Sequence, residues 1–156
     1  NGFIREFDKI KNDTNWDFSS YMNVYEINSI ETFWDVFNNI NKSNIENGMF
    51  FMMRKDIKPL WEDDKNKEGG CWSFKILKKN IFDSLLDVCV NCVNETLARD
   101  SENINLITGI SISPKKSFCI IKIWNNDKNK NSKDLINNNL LNLNLKESLY
   151  KAHSNR

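Results

Sequence analysis

The segment from Pro59 to Trp72 constrains the fold of this chain more than any other stretch. It reads Pro-Leu-Trp-Glu-Asp-Asp-Lys-Asn-Lys-Glu-Gly-Gly-Cys-Trp, so Trp61 stands directly beside the carboxylate of Glu62, and a charged turn closed by two glycines follows. From Trp72 to Ile76 apolar residues alternate with polar ones, which is the period of a half-buried strand. The sequence therefore predicts a polar loop that carries an aromatic side chain and leads into a strand.

Trp61 and Glu62 together suit one kind of ligand. The indole face attracts a cation or an electron-poor ring, and an ionised glutamate only accepts hydrogen bonds. A flat, cationic heterocycle with N–H donors on its edge satisfies both side chains, and N7-methylated guanine is such a base. For an isolated Trp-Glu pair the alternative is a tryptophan packed in the core beside a solvated carboxylate.

The composition fits one ordinary domain, which we take as residues 1–156 with both ends trimmed, because the chain begins at Asn1 without a methionine. The 22 Lys and Arg nearly balance the 21 Asp and Glu, so nucleic-acid binding would have to come from a local site. No stretch approaches the roughly 18 apolar residues of a spanning helix, and no signal-peptide pattern opens the chain. We expect a cytoplasmic monomer without a membrane association.

The cysteines and the single histidine argue against an enzyme. Cys89 and Cys92 form a C-x-x-C pair, but they lie in an apolar helical pattern without turn residues or a second pair. This context favours core packing over a zinc site. With one histidine and no constellation of nucleophile and base, we expect no catalytic residues, no metal and no cofactor.

Hydrophobic periodicity predicts an α+β fold with a mostly antiparallel sheet, because hairpins dominate among interleaved strands and helices. Alternation of apolar and polar residues predicts strands over Gly2–Ile10, Tyr21–Ile27 and Trp72–Ile76, and a short apolar run predicts one over Met49–Met53. Further strands are predicted over Ile104–Ser113, Phe118–Trp124 and Ser148–Ala152. Helical spacing predicts a helix capped by Asn28 with Glu31 three residues on, a helix over Lys79–Leu97 and a last one over Ser132–Leu143.

Two long segments resemble one protein family. Residues Phe50 to Trp72 follow one family's pattern without a gap. The pattern has an aromatic and apolar strand, then a basic pair, and then I-x-P-[LM]-W-E-D-x-K-N-K-x-G-G-x-W. Gly109 to Trp124 is similar to the hairpin G-x-x-x-[NS]-x-R-x-K-x-x-K-[IF]-x-[IVL]-W. Both patterns are those of the eukaryotic translation initiation factor 4E family, which binds the 5′ cap of messenger RNA. The resemblance implies a curved antiparallel sheet with helices on its convex face and the cap on its concave face.

The resemblance also implies roles for the aromatic residues. Trp61 would stack on one face of the methylated guanine while Glu62 accepts its N1 and N2 hydrogens. Trp16 is the candidate for the opposite face, with Tyr21 as the alternative. Trp124 matches a third tryptophan that contacts the N7-methyl region. Trp72 and His153 match family positions that we interpret as structural.

The phosphate-binding cations are incomplete in comparison with the family pattern. Lys115 stands at the first cation position, Lys116 adjoins the second, and Lys122 shares strand parity with the third. Three positions that often carry a cation in the family hold other residues here, namely Cys71, Ser117 and Ile120. Fewer cations imply either weaker and less salt-dependent cap binding, or phosphate contacts from Lys115, Lys116 and Lys122 in a shifted geometry.

A second surface is predicted on the opposite side of the fold. Ile30 and Trp34 lie one helical turn apart, and the segment around them resembles the family's [ED]-x-F-W. Leu86 and Asp87 match the Leu-Glu pair of the neighbouring helix. In the family this surface receives partner helices with the motif Y-x-x-x-x-L-Φ.

The sequence thus predicts a non-catalytic cap-binding translation initiation factor. Its expected partners are capped mRNA and either the scaffold initiation factor 4G or a 4E-binding repressor. Two alternatives stay open: a divergent member that represses translation by competing for caps, and a protein-interaction module with little cap affinity.

Overall fold

The computed structural model describes residues 4–10, 21–27, 29–39 and 48–155, and for residues 4–10, 21–26 and 155 the backbone alone. Within these ranges the chain forms one curved antiparallel sheet of seven strands in the order β2-β1-β3-β5-β6-β4-β7. The strands are β1 (Ile4–Ile10), β2 (Tyr21–Glu26), β3 (Phe50–Arg54), β4 (Gly70–Leu77), β5 (Ile107–Pro114), β6 (Phe118–Asn125) and β7 (Leu149–Ala152).

Two α-helices in the described part of the chain, α1 (Ile30–Asn38) and α2 (Ile81–Val93), pack on one face of the sheet. The rings of Phe37 and Phe82 meet with centroids 5.2 Å apart, which joins the two helices. Short 3-10 helices follow or precede the longer elements at Lys78–Asn80, Ser101–Leu106, Lys133–Leu135, Leu145–Glu147 and His153–Asn155. The predicted α+β class with a curved antiparallel sheet is confirmed.

The alternation of the strands divides the buried side chains of the described residues into two clusters. Inward positions of β5 and β6 face the helices and form the main core with α2, through Ile110, Ile112, Ile121, Ile123, Leu85 and Val88. A smaller cluster on the other face joins Phe51, Met53, Ile57, Cys71 and Trp124. This second cluster is the floor on which the candidate site is built.

Cys89 and Cys92 are buried in the main core, as the helical pattern predicts. Burial raises the pKa of both thiols, so both stay protonated at neutral pH. Within the described ranges, no group of three or more His, Cys, Asp and Glu side chains could hold a metal ion. No described helix is long and apolar enough to cross a bilayer.

The start of α1 differs from the prediction by one residue. The Thr32 N–H donates to Ser29 Oγ at 3.0 Å, so the N-cap is Ser29 rather than Asn28, which lies outside the described residues. Serine satisfies the free N–H of the first turn as well as asparagine does, so composition alone does not separate the two neighbours. The strand predicted from Ile104 begins at Ile107, after a 3-10 turn.

The predicted helix over Ser132–Leu143 is wrong. Only Lys133–Leu135 is helical, as a 3-10 turn, and Asn142 has a φ of 62°. The side chain of Asn137 accepts a hydrogen bond from the Asn139 N–H at 2.8 Å and donates to the Thr96 carbonyl at 2.8 Å. Such side-chain bonds to the backbone compete with helical hydrogen bonds, which explains why this asparagine-rich stretch forms turns.

Candidate ligand-binding site

A cavity of about 560 Å³ opens on the sheet face opposite the helices. The loop between β3 and β4 forms one wall, and the hairpin of β5 and β6 forms the other. The lining residues are Met49, Phe51, Pro59, Leu60, Trp61, Glu62, Ser111, Ser113, Lys115, Lys122 and Trp124. Five of the seven residues predicted to bind the ligand therefore surround one cavity.

Trp61 and Glu62 stand on the rim of this cavity. The Trp61 side chain is 40% exposed, which excludes the core-packing alternative for this tryptophan. Among the described residues Trp61 makes no ring contact, and the carboxylate of Glu62 makes no hydrogen bond or ion pair. The exposed indole face and the adjacent carboxylate, which has no partner within the described part of the chain, are thus available to a ligand.

The two glycines that close the loop are required by close backbone approach. A Cβ atom at Gly69 would overlap the carbonyl of Asn125, and one at Gly70 would overlap the carbonyl of Lys151. The Gly70 N–H donates to the side chain of Asn125 at 2.9 Å, which fixes the return of the loop into β4. The glycine pair therefore sets where the loop ends relative to the hairpin.

Trp124 forms the floor of the cavity. Its side chain is 6% exposed, and its Nε1–H donates to Ser111 Oγ at 3.0 Å. Its ring meets Phe51 edge to face at 6.1 Å and His153 at 5.1 Å between centroids. His153 is buried, with Nε2 3.9 Å from Cys71 Sγ. The burial of His153 and its contact with the Trp124 ring support the structural interpretation of this histidine.

Lys115 and Lys122 bring positive charge to the hairpin wall, whereas Lys116 is exposed and does not line the cavity. In the strand register Lys122 pairs with Ser111, so this lysine stands beside the hydrogen-bonded partner of the Trp124 indole. Ser113 also lines the cavity. Neither Ser111 nor Ser113 was predicted from the sequence to line the site, although both have the same strand parity as Lys115.

The second predicted stacking position is not settled by the structure. Trp16 lies outside the described residues, and Tyr21 begins β2 with only its backbone described. Both residues therefore stay predictions.

The predicted partner surface lies on the helical side. Ile30 and Trp34 of α1 are 39% and 40% exposed. Leu86 of α2 is half-buried against the core. Asp87 Oδ2 accepts a hydrogen bond from the Leu141 N–H at 2.8 Å, so one of its oxygens ties α2 to the segment between β6 and β7. An apolar patch that includes a large aromatic ring is thus exposed on the opposite side from the cavity.

Known proteins are similar to this chain in sequence and in fold. The chain is 35% identical to "Eukaryotic translation initiation factor 4E" of Dictyostelium discoideum over 108 residues, which cover 67% of this chain and 42% of that protein. It is 32% identical to initiation factor 4E-1 of Schizosaccharomyces pombe over 108 residues, 65% of this chain and 48% of that protein. The aligned part of the chain thus spans less than half the length of these relatives.

Solved structures resemble the fold over nearly the whole chain. One is C. elegans eIF4E-3 in complex with the 4E-binding protein Mextli and a cap analogue, with 18% identity, a TM-score of 0.77 and coverage of 98% of this chain and 94% of that chain. Another is Ascaris suum eIF4E-3 with an m2,2,7G cap, with 20% identity, a TM-score of 0.79 and coverage of 98% and 92%. The family model for eukaryotic initiation factor 4E matches residues 3–156. This protein therefore belongs to the eukaryotic initiation factor 4E family.

Proposed function

We propose that this chain binds the 7-methylguanosine cap at the 5′ end of mRNA and acts, without catalysis, as a translation initiation factor. One observation carries the proposal: Trp61 and Glu62 stand side by side, without partners among the described residues, on the rim of a cavity that Lys115, Lys122 and Trp124 also line. An aromatic face, an acceptor and two cations match the base, its edge and the phosphates of a cap.

The roles of the side chains follow from their chemistry. Trp61 stacks on the cationic ring, because a positive charge is attracted to the face of an indole. Glu62 accepts the N1 and N2 hydrogens of the base in charge-assisted hydrogen bonds. Trp16 supplies the second face, with Tyr21 as the alternative, and Trp124 meets the N7-methyl region from the floor of the cavity.

Isothermal titration with 7-methyl-GTP, with GTP as the control ligand, tests the proposal. We expect 7-methyl-GTP to bind at least roughly tenfold more tightly, because methylation makes the base cationic and each cation–π contact contributes about 0.5–2 kcal/mol. Equal affinities for the two nucleotides, or no binding of either, would contradict cap recognition.

The phosphate contacts are predicted to rest on the lysines that line the cavity. We expect Lys115→Ala and Lys122→Ala each to lower the slope of log affinity against log salt by a little under one, because each variant loses one phosphate contact. Lys116 is exposed next to Lys115 but outside the lining, so Lys116→Ala is the matched control with an unchanged slope. If only Lys116→Ala lowered the slope of log affinity against log salt, the phosphates would lie on the outer side of the hairpin.

The exposed patch on the helices supports a second activity, the binding of a partner helix. Ile30 and Trp34 lie on one face of α1, and the half-buried Leu86 lies on the adjacent α2. An amphipathic helix of a scaffold initiation factor or a 4E-binding repressor, with the motif Y-x-x-x-x-L-Φ, would cover this apolar surface. If the chain binds such helices but does not bind the cap, it is the protein-interaction module that the sequence left open as an alternative.

We expect Trp34→Ala to lower the affinity for a Y-x-x-x-x-L-Φ peptide by at least roughly 2 kcal/mol, about 30-fold, as anchoring aromatics do. Calorimetry with the peptide measures this effect. Leu149→Ala, which truncates an even more exposed apolar side chain on β7, is the control and should leave the affinity unchanged. Equal binding to wild type and to Trp34→Ala would remove Trp34 from the interface.

A further inference from the structure

Two side chains that have no direct role in the ligand contacts above organise the turn that carries Trp61 and Glu62. We propose that Asp63 and Asn66 are positioning residues, which hold Trp61 and Glu62 in the orientation that binds 7-methylguanine. This inference rests on the proposed function of the cavity. It adds that the ligand-binding side chains are held in place by hydrogen bonds to the backbone of their loop.

The carboxylate of Asp63 joins the two ends of the turn. Its Oδ2 accepts a hydrogen bond from the Lys58 N–H at 3.0 Å, and its Oδ1 accepts one from the Lys65 N–H at 2.9 Å. Lys58 precedes the Trp61–Glu62 pair and Lys65 follows it. One ionised side chain therefore spans the segment, through bonds to a charged acceptor that are stronger than neutral ones.

Asn66 holds the entry to the turn from inside. Its side chain is buried, and its Nδ2 donates to the carbonyls of Lys58 at 3.1 Å and Leu60 at 2.9 Å. The Leu60 carbonyl also accepts the Asp63 N–H at 3.3 Å. Lys58 is thus bound through its N–H by one positioning residue and through its carbonyl by the other.

This arrangement matters because Trp61 and Glu62 have no side-chain partners of their own among the described residues. Their directions are set by the backbone that carries them. A loop that is already ordered before the ligand arrives avoids the entropy cost of ordering on binding. Asp63 and Asn66 would therefore contribute to affinity without contacting the base.

Asp63→Asn tests the proposal against a matched control one residue on. The new amide can accept only one of the two N–H groups and turns a donor toward the other, so we expect 7-methyl-GTP to bind about three- to tenfold more weakly. Asp64→Asn is the same chemical change at a carboxylate that is 89% exposed and pairs with Lys67 on the surface at 3.0 Å. It should bind within twofold of wild type. Equal affinities of the two variants would overturn the proposal.

A second variant and a double-mutant cycle separate positioning from charge and from general destabilisation. Asp63→Glu keeps the charge but displaces the carboxylate, so positioning requires it to bind as weakly as Asp63→Asn, and wild-type affinity would overturn the proposal. In the Glu62→Gln background Asp63→Asn should cost less than in the wild-type background, because Trp61 is then the only one of the two side chains left to orient. An equal cost in both backgrounds would show that Asp63 does not act through Glu62 and would overturn its role in orienting that side chain.

The result for wild type separates this inference from the proposed function. If wild type fails to bind 7-methyl-GTP, cap binding and the positioning role fall together. If wild type binds and Glu62→Gln weakens binding while every Asp63 variant binds normally, only the positioning role falls. Urea unfolding of each variant establishes that the titrations measure folded protein.

Discussion

Replacing Glu62 with glutamine is expected to weaken the binding of 7-methyl-GTP by roughly 10- to 100-fold. The carboxylate stands on the cavity rim without a hydrogen bond or ion pair among the described residues, so nothing else in the described chain uses its charge. Hydrogen bonds to a charged group contribute roughly 1.5–3 kcal/mol, and the glutamine amide keeps the size while it turns a donor toward the N–H edge of the base. Tryptophan fluorescence titration measures the change.

Glu68→Gln is the control for this variant. Glu68 belongs to the same loop, is exposed, and does not line the cavity, so its replacement removes the same charge at a distance from the base. We expect its affinity to stay within about twofold of wild type, because exposed charges are screened by solvent. A loss of similar size in Glu62→Gln and Glu68→Gln would mean that the loop attracts the ligand by its overall charge and that Glu62 makes no specific contact.

Replacing Arg54 with methionine is expected to lower the free energy of unfolding by about 3 kcal/mol. The guanidinium binds both carboxylate oxygens of Glu95, at 2.7 and 2.9 Å, and donates to the carbonyls of Ile107 at 2.6 Å and Ile104 at 3.0 Å. The two charged side chains are only 13% and 18% exposed. Removing one member of such a pair leaves the other poorly solvated, which costs about 3–5 kcal/mol when the pair is fully buried.

Urea unfolding measures this loss, and the surface pair of Lys67 and Asp64 supplies the comparison. That pair is also within ion-pair distance, at 3.0 Å, but it is 50% and 89% exposed. Lys67→Met should therefore leave the unfolding midpoint unchanged. In the Arg54→Met background, Glu95→Met should restore part of the lost stability, since it removes the unpaired charge. If Arg54→Met unfolds at the same midpoint as wild type, the pair does not stabilise the junction between β3 and the turn that follows α2.

The chemistry of the two residues on the cavity rim, Trp61 and Glu62, could be predicted from the sequence. Trp61 and Glu62 are neighbours in the chain, so their relation does not depend on folding, and the glycines after them indicate a loop that must return closely to the sheet. The resemblance to the family predicted a structural role for Trp72, which is fully buried. The exposure of Trp34 was also expected from the resemblance, because helical spacing alone places Trp34 among the same apolar positions as the buried Phe33 and Phe37.

Predictions that depended on competing local hydrogen bonds were less successful. Ser29 and Asn28 are both good N-caps, and only the geometry of the chain entering α1 selected Ser29. The apolar pattern after Ser132 fits a helix, yet asparagine side chains bind nearby backbone groups and produce turns instead. In both cases the free-energy difference between alternatives is small, so propensity alone does not decide.

The sequence by itself determined the family and the antiparallel α+β class, and it predicted Trp61 and Glu62 as the stacking and acceptor residues, because these inferences depend on patterns within short segments. Only the tertiary structure decided which lysines line the cavity. It placed Lys115 and Lys122 on the wall and Lys116 outside it, since the register of β5 and β6 sets which side chains share a face. It also decided how the rim is held, since the bonds of Asp63 and Asn66 exist only once the loop has closed on itself.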